Sequence, residues 1–87
     1  MSRLTIYLSS SGCIPCSRAR ELGSALIDAY PEVQVELVDV GLLSPDEVPE
    51  AVVAVPTYVL DGVVISMGNP REATLREMLA STGVAGG

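Results

Sequence analysis

Residues 3–40, RLTIYLSSSGCIPCSRARELGSALIDAYPEVQVELVDV, change hydrophobic period twice, and those two changes decide the architecture. In RLTIYL (3–8), Leu4, Ile6 and Leu8 alternate with Thr5 and Tyr7, the two-residue period of a strand. From Ile14 to about Tyr30 the period lengthens: Ala19, Leu22, Leu26 and Ala29 recur at steps of three and four, one stripe of a helix. Pro15 is tolerated only in a helix's first turn, where its missing N–H costs nothing, so the helix starts beside Cys13 and Cys16. Pro31 ends it. VQVELVDV (33–40) returns to alternation, so the stretch predicts a βαβ unit with parallel strands and a right-handed crossover.

Downstream, Ser44-Pro45-Asp46-Glu47 starts a second helix with a hydroxyl cap, a proline at the first position and an acid three residues on. Pro49 interrupts it, so this helix is short or irregular. TYVL (57–60) and VVISM (63–67) flank Asp61-Gly62, whose positive φ suits a tight two-residue hairpin turn. Asn69-Pro70-Arg71-Glu72 caps a last helix with Leu75, Met78 and Leu79 on its buried stripe and a Glu72–Arg76 pair on its surface. Gly83 ends it. The predicted order is β-α-β-α-β-β-α, an α/β chain with one domain over residues 1–82 and a flexible C-terminal tail over 83–87.

Composition narrows the class. Of the 87 residues, 48% are hydrophobic, which argues against disorder; Phe and Trp are absent, so Val, Leu, Ile, Ala and Tyr must build the core. Eleven acids face five arginines and no lysine, a net charge of −6 that repels both nucleic-acid phosphates and anionic membranes. No apolar run is long enough to span a bilayer. The first ten residues are too short and too alternating for a signal peptide and read as a strand. A reducing cytoplasm is the expected compartment, and stable structural disulfides are rare there.

The two cysteines are the only ones in the chain, and there is no histidine. They could be a staple, a metal grip or a redox switch. A four-residue loop hardly restricts the unfolded chain: it contributes roughly 2 kcal/mol, against about 3 for a fifteen-residue loop. A closed zinc site needs four ligands, usually sulfur or imidazole, and one chain supplies only two thiols. A metal or iron–sulfur cluster bridging two chains stays open. The switch is favoured. A helix N-terminus carries unpaired N–H groups and about half a positive charge, which stabilise the reactive thiolate. Cys13 sits just before the first turn and Cys16 one turn further in, so an exposed attacker is paired with a shielded partner. C-x-x-C beside a βαβ pattern is a redox signature.

Cys13-Ile14-Pro15-Cys16 after a first strand, with Val55-Pro56-Thr57 before a hairpin, resembles the thioredoxin/glutaredoxin superfamily over about residues 3–80. The element order is similar to the glutaredoxin-sized core, without an extra N-terminal strand and helix. The resemblance implies a thioredoxin-like fold: a four-stranded mixed sheet with helices on both faces, the first and last on one and the short middle helix on the other. It implies a cis Val55–Pro56 bond beside the cysteines. It also implies catalytic roles for Cys13 and Cys16, substrate binding by Val55, Pro56 and Thr57, and tuning of the motif by Gly12, Ile14 and Pro15. The backbone of Val55 would pair with a bound substrate chain as an added strand.

The departures are specific. Gly12 stands where thioredoxins have tryptophan, and LTIYL (4–8) lacks their buried acid, so no proton acceptor for Cys16 can be named. Gly68 is single where glutaredoxins pair two glycines, and Asn69 reads as a helix cap. Apart from Arg71 nearby, no lysine or arginine contact to glutathione's carboxylates is evident, so glutathione is not carried over as a partner. Tyr7 and Tyr58 read as core or sheet-face residues, Arg18 and Arg20 as a solvated helix face, and Ser11 as a candidate helix cap.

The expected function is a thiol–disulfide oxidoreductase that reduces protein disulfides through the Cys13–Cys16 couple. It needs no cofactor or metal, is recharged by an external reductase or thiol, and is expected to be a monomer. The competing reading is a redox-responsive or iron–sulfur-cluster-bridging, glutaredoxin-like binding module without turnover. An interaction domain with idle chemistry would need neither cysteine.

Overall fold

A computed structural model describes residues 2–10 and 13–81. The elements are β1 (Arg3–Leu8), α1 (Ile14–Ala29), β2 (Gln34–Asp39), two 3-10 turns (Val40–Leu42 and Pro45–Glu47), β3 (Thr57–Leu60), β4 (Val63–Met67) and α2 (Glu72–Ser81). The sheet order is β2-β1-β3-β4. β1 pairs with β2 in parallel and with β3 antiparallel, and β3 pairs with β4 antiparallel, so the sheet is mixed and β1 is central. The expected element order is observed, with the second helical position filled by the two 3-10 turns. The expected helix stop at Gly83 and the 83–87 tail lie outside the described residues, as do Ser11 and Gly12.

One cluster forms the core. Leu4, Ile6 and Leu8 of β1 pack with Cys16, Ala19, Leu22 and Leu26 of α1, Tyr58 and Leu60 of β3, and Leu75 and Leu79 of α2. The alternation read in β1 is therefore the alternation of a buried face. Both α-helices share this cluster and so cover the same side of the sheet. The helical stripe stops at Leu26, because Ala29, in the last turn of α1, is exposed.

Gly23 brings α1 close to the sheet. A Cβ there would lie 2.8 Å from Leu37 Cδ2 and 3.3 Å from Ile6 Cδ1. The hairpin turn is as its chemistry requires: Asp61 and Gly62 both have positive φ, 49° and 86°. Asp61 also ties the turn to β1, its carboxylate accepting from the Arg3 N–H at 2.8 Å.

The middle helix stays short for local reasons. Ser44 donates its N–H and its hydroxyl to Glu47, each at 2.8 Å, so the expected start signal is satisfied. Pro49, which has no N–H to donate, keeps the run from extending. On α2, Glu72 Oε2 accepts from Arg76 Nη2 at 2.9 Å and from Nε at 3.1 Å, and Arg76 lies over the Tyr30 ring.

Two surface carboxyls, a half-buried Asp39 and an exposed Glu47, make stability depend on pH. Asp39 is held below the ordinary value by the Ser10 hydroxyl and then the Gly41 N–H, and Glu47 by the Ser44 N–H and then its hydroxyl. A depressed folded value means that each tie contributes fully above the ordinary carboxylate range. The contribution is lost as pH falls through the folded values, which lie below those of ordinary carboxyls. The urea midpoint of the wild type is expected to fall more steeply from pH 5 to pH 2 than that of Asp39→Asn/Glu47→Gln. Parallel curves would contradict it.

Candidate active site

The carboxyl ends of β1 and β2, the start of α1, the start of β3 and the end of β4 converge on one edge of the sheet. Ligand sites of open α/β sheets lie outside the carboxyl ends of parallel strands for the same topological reason. Cys13 and Cys16 occupy this edge as a disulfide, with Cα atoms 5.4 Å apart.

Cys13 is the N-cap of α1 and makes no side-chain capping bond in the disulfide form. Ser11, the candidate cap, is outside the described residues, and the capping position belongs to Cys13 itself. Pro15 lies in the first turn, as expected, and no acidic residue shares that turn to offset the positive end of the helix. The two sulfurs are unequal. Cys13 is half-buried, whereas Cys16 is 1% exposed and joins the core cluster. Cys16 Sγ accepts from the Ser9 N–H at 3.3 Å, a contact that no motif announces.

Opposite them, the Val55–Pro56 bond is cis. Val55 is half-buried and packs on the core, as Cys13 does, and Pro56 and Thr57 are buried. Thr57 Oγ1 donates to the Ala54 carbonyl, and the Gly68 N–H donates to the Pro56 carbonyl at 2.7 Å. These bonds hold both sides of the Val55–Pro56 loop. Among the described residues, the Val55 N–H and C=O take part in no backbone pair, since the β1–β3 ladder stops at Thr57.

An apolar cleft of about 370 Å³ adjoins this loop, lined by Val40, Leu43, Val48, Val52 and Val55 among others. Its signal in the sequence is the valine-rich run 48–55, too apolar for a solvated loop. Ile14, between the cysteines, is 89% exposed, and Met67, paired with Thr57, is also exposed. Of the expected tuning residues, Ile14 and Pro15 are therefore surface groups flanked by the sulfurs, while Gly12 lies outside the described residues.

Two expectations for nearby residues are corrected or sharpened. Asn69 does not cap α2, which starts three residues later at Glu72. Its side chain instead accepts from the Tyr58 hydroxyl at 2.8 Å and donates to the Pro15 carbonyl at 2.9 Å. Tyr58 is fully buried, and burial pushes its phenol up to about 12, with Arg18 opposing. Arg18 is itself engaged with Glu21 and Glu72 on an exposed face, as expected for a solvated helix surface.

A family model described as a thioredoxin domain matches residues 3–80. Among solved structures, the chain is similar to mitochondrial thioredoxin 3 from Saccharomyces cerevisiae in its oxidised form. The identity is 30% and the TM-score 0.73, covering 92% of this chain and 77% of the yeast one. Thioredoxin from Fasciola hepatica matches at 27% identity and a TM-score of 0.74, covering 92% of this chain and 79% of the fluke protein. A mutant thioredoxin from Halobacterium salinarum NRC-1 shares the fold at a TM-score of 0.76 and 24% identity, over 92% of this chain and 73% of the other. No curated protein matches in sequence.

Proposed function

The chain belongs to the thioredoxin family and is a thiol–disulfide oxidoreductase working through the Cys13–Cys16 couple; from that premise we propose that it reduces disulfides of other proteins in the cytoplasm and is recharged by an external reductase or thiol. The observation that carries this reading is the inequality of the two sulfurs: one half-exposed at a helix start, the other buried one turn further in.

The reduced Cys13 is the attacking group. As the N-cap, its sulfur can accept from the N–H of the second or third helical residue. The second is Pro15, which has no N–H, so the donor is the Cys16 N–H. That bond and the helix's positive end favour the thiolate. The Cys13 thiolate attacks one sulfur of the substrate disulfide and expels the other as a thiolate, leaving a mixed disulfide. Cys16 gives up its proton and attacks Cys13 Sγ, with the Ser9 N–H supporting its negative charge. The second substrate thiolate leaves, and the Cys13–Cys16 disulfide remains. The substrate has gained two electrons and two protons, one proton from Cys16 and one from water, Cys13 having already ionised; the external reductant returns the two electrons to this chain.

Val55 receives the substrate backbone through its N–H and C=O, which form no backbone pair among the described residues, and the adjoining apolar cleft takes an apolar side chain of the same segment. The acidic surface supports the absence of nucleic-acid and membrane partners, and no described helix is long and apolar enough to cross a membrane. A monomer is part of the proposal. In the cluster-bridging alternative, a cluster would have to be completed from outside, since the described residues contain no group of three or more metal-ligating side chains.

The test is insulin reduction with dithiothreitol as the donor. Catalytic amounts of the protein are expected to shorten the lag before insulin precipitates. A lag equal to the uncatalysed one would reject the reading.

A further inference from the structure

Asn69 joins two parts of the chain that nothing local connects. Its amide spans from the Tyr58 hydroxyl in β3 to the carbonyl of Pro15, between the two cysteines and 54 residues away. The orientation is set by chemistry. The Pro15 carbonyl can only accept, so the amide nitrogen faces it, and the amide oxygen is left to accept from Tyr58. The segment carrying Asn69 is anchored in turn. Gly68 adopts φ 87°, and its N–H donates to Pro56, so Gly68 and Asn69 together bolt the Val55–Pro56 loop to the cysteine turn.

The Pro15 carbonyl belongs to the same peptide group as the Cys16 N–H. A peptide whose carbonyl accepts a further hydrogen bond donates more strongly through its N–H. That N–H is the donor left for the Cys13 sulfur once the disulfide opens. We infer that Asn69, held by Tyr58, is a positioning residue for the redox couple: by gripping the Pro15 carbonyl it keeps the Cys16 N–H aimed at, and strengthened toward, the reduced Cys13 sulfur. The inference rests on Cys13 being the attacking thiolate. Tyr58 suits its part, because a buried phenol with a raised pKa keeps its proton throughout the working range.

The experiment is the pH profile of Cys13 alkylation by iodoacetamide in the reduced protein, followed by peptide mass spectrometry with Cys16 as the internal comparison. Asn69→Ala is expected to move the Cys13 profile to higher pH and to lower its rate at pH 7 roughly three- to fivefold, with the alkaline plateau unchanged. Tyr58→Phe, which keeps the ring in the core, should move it the same way by less. Leu26→Val is the structural control: it disturbs the core away from this relay and should leave the profile in place.

A wild-type Cys13 no more reactive than Cys16 would overturn the attacking role of Cys13, and this inference with it. A wild-type profile well below that of an ordinary thiol, with Asn69→Ala superposed on it, would overturn the inference alone. Tyr58→Phe at the wild-type position would overturn the relay. Should Asn69→Ala fail to fold, Tyr58→Phe decides.

Discussion

Cys13→Ser is expected to lower protein-disulfide turnover on the order of 10³-fold or more, to the uncatalysed background, because a hydroxyl neither ionises near neutral pH nor exchanges with disulfides. Cys16→Ser should fail differently. Its Cys13 still attacks, but the second step has no nucleophile, so the mixed disulfide accumulates with about one substrate per chain. Both variants are expected to keep the fold, since serine is close to cysteine in size, and equilibrium unfolding in parallel is the check. The readout is insulin turnover for the first and non-reducing electrophoresis for the second. Mixed disulfides on Cys13→Ser through Cys16 would reverse the assigned roles. That result would contradict the burial of Cys16 against the core.

The second large effect is on stability. Ile6 is fully buried on the central strand, between β2 and β3 and beneath the close approach of Gly23. Ile6→Ala removes three carbons where neighbours on both strands and α1 prevent collapse, so it should cost about 3–4 kcal/mol. A domain of this size has a total stability of about 5–10 kcal/mol, so the loss is a large fraction of it. Ile6→Val should cost only about 1 kcal/mol. Urea unfolding is the measurement: the midpoint should drop for both variants, in that ratio, with the slope unchanged. A loss below about 1 kcal/mol for Ile6→Ala would mean that the site repacks and that β1 is not the rigid centre of the fold.

Much of the architecture is legible because its signals are local. Alternation places β1 and β2, Asp61-Gly62 sets the hairpin turn, and Pro15 ties the helix start to the cysteines. The cis bond at Pro56 comes through resemblance, since composition does not separate it from a trans proline at a strand edge. The middle helix is readable in its start signal, since Ser44 and Glu47 do pair, and in its brevity, since Pro49 interrupts it; that it takes the form of two 3-10 turns is not. Asn69 misleads because Asn before Pro is an ordinary turn and capping pattern. In the folded chain its amide is claimed by Tyr58 and Pro15 instead.

Backbone periodicity and turn chemistry depend on neighbours within a few residues, so the strands, α1, the hairpin and the placement of Cys13 at a helix start follow from the order of amino acids. The burial of Cys16, the grip of Ser9 on its sulfur, the approach of α1 at Gly23 and the reach of Asn69 to Pro15 do not. Each depends on which groups become neighbours when distant segments pack. A polar side chain bonds to the partner that packing brings within about 3 Å, whatever local partner the sequence offers.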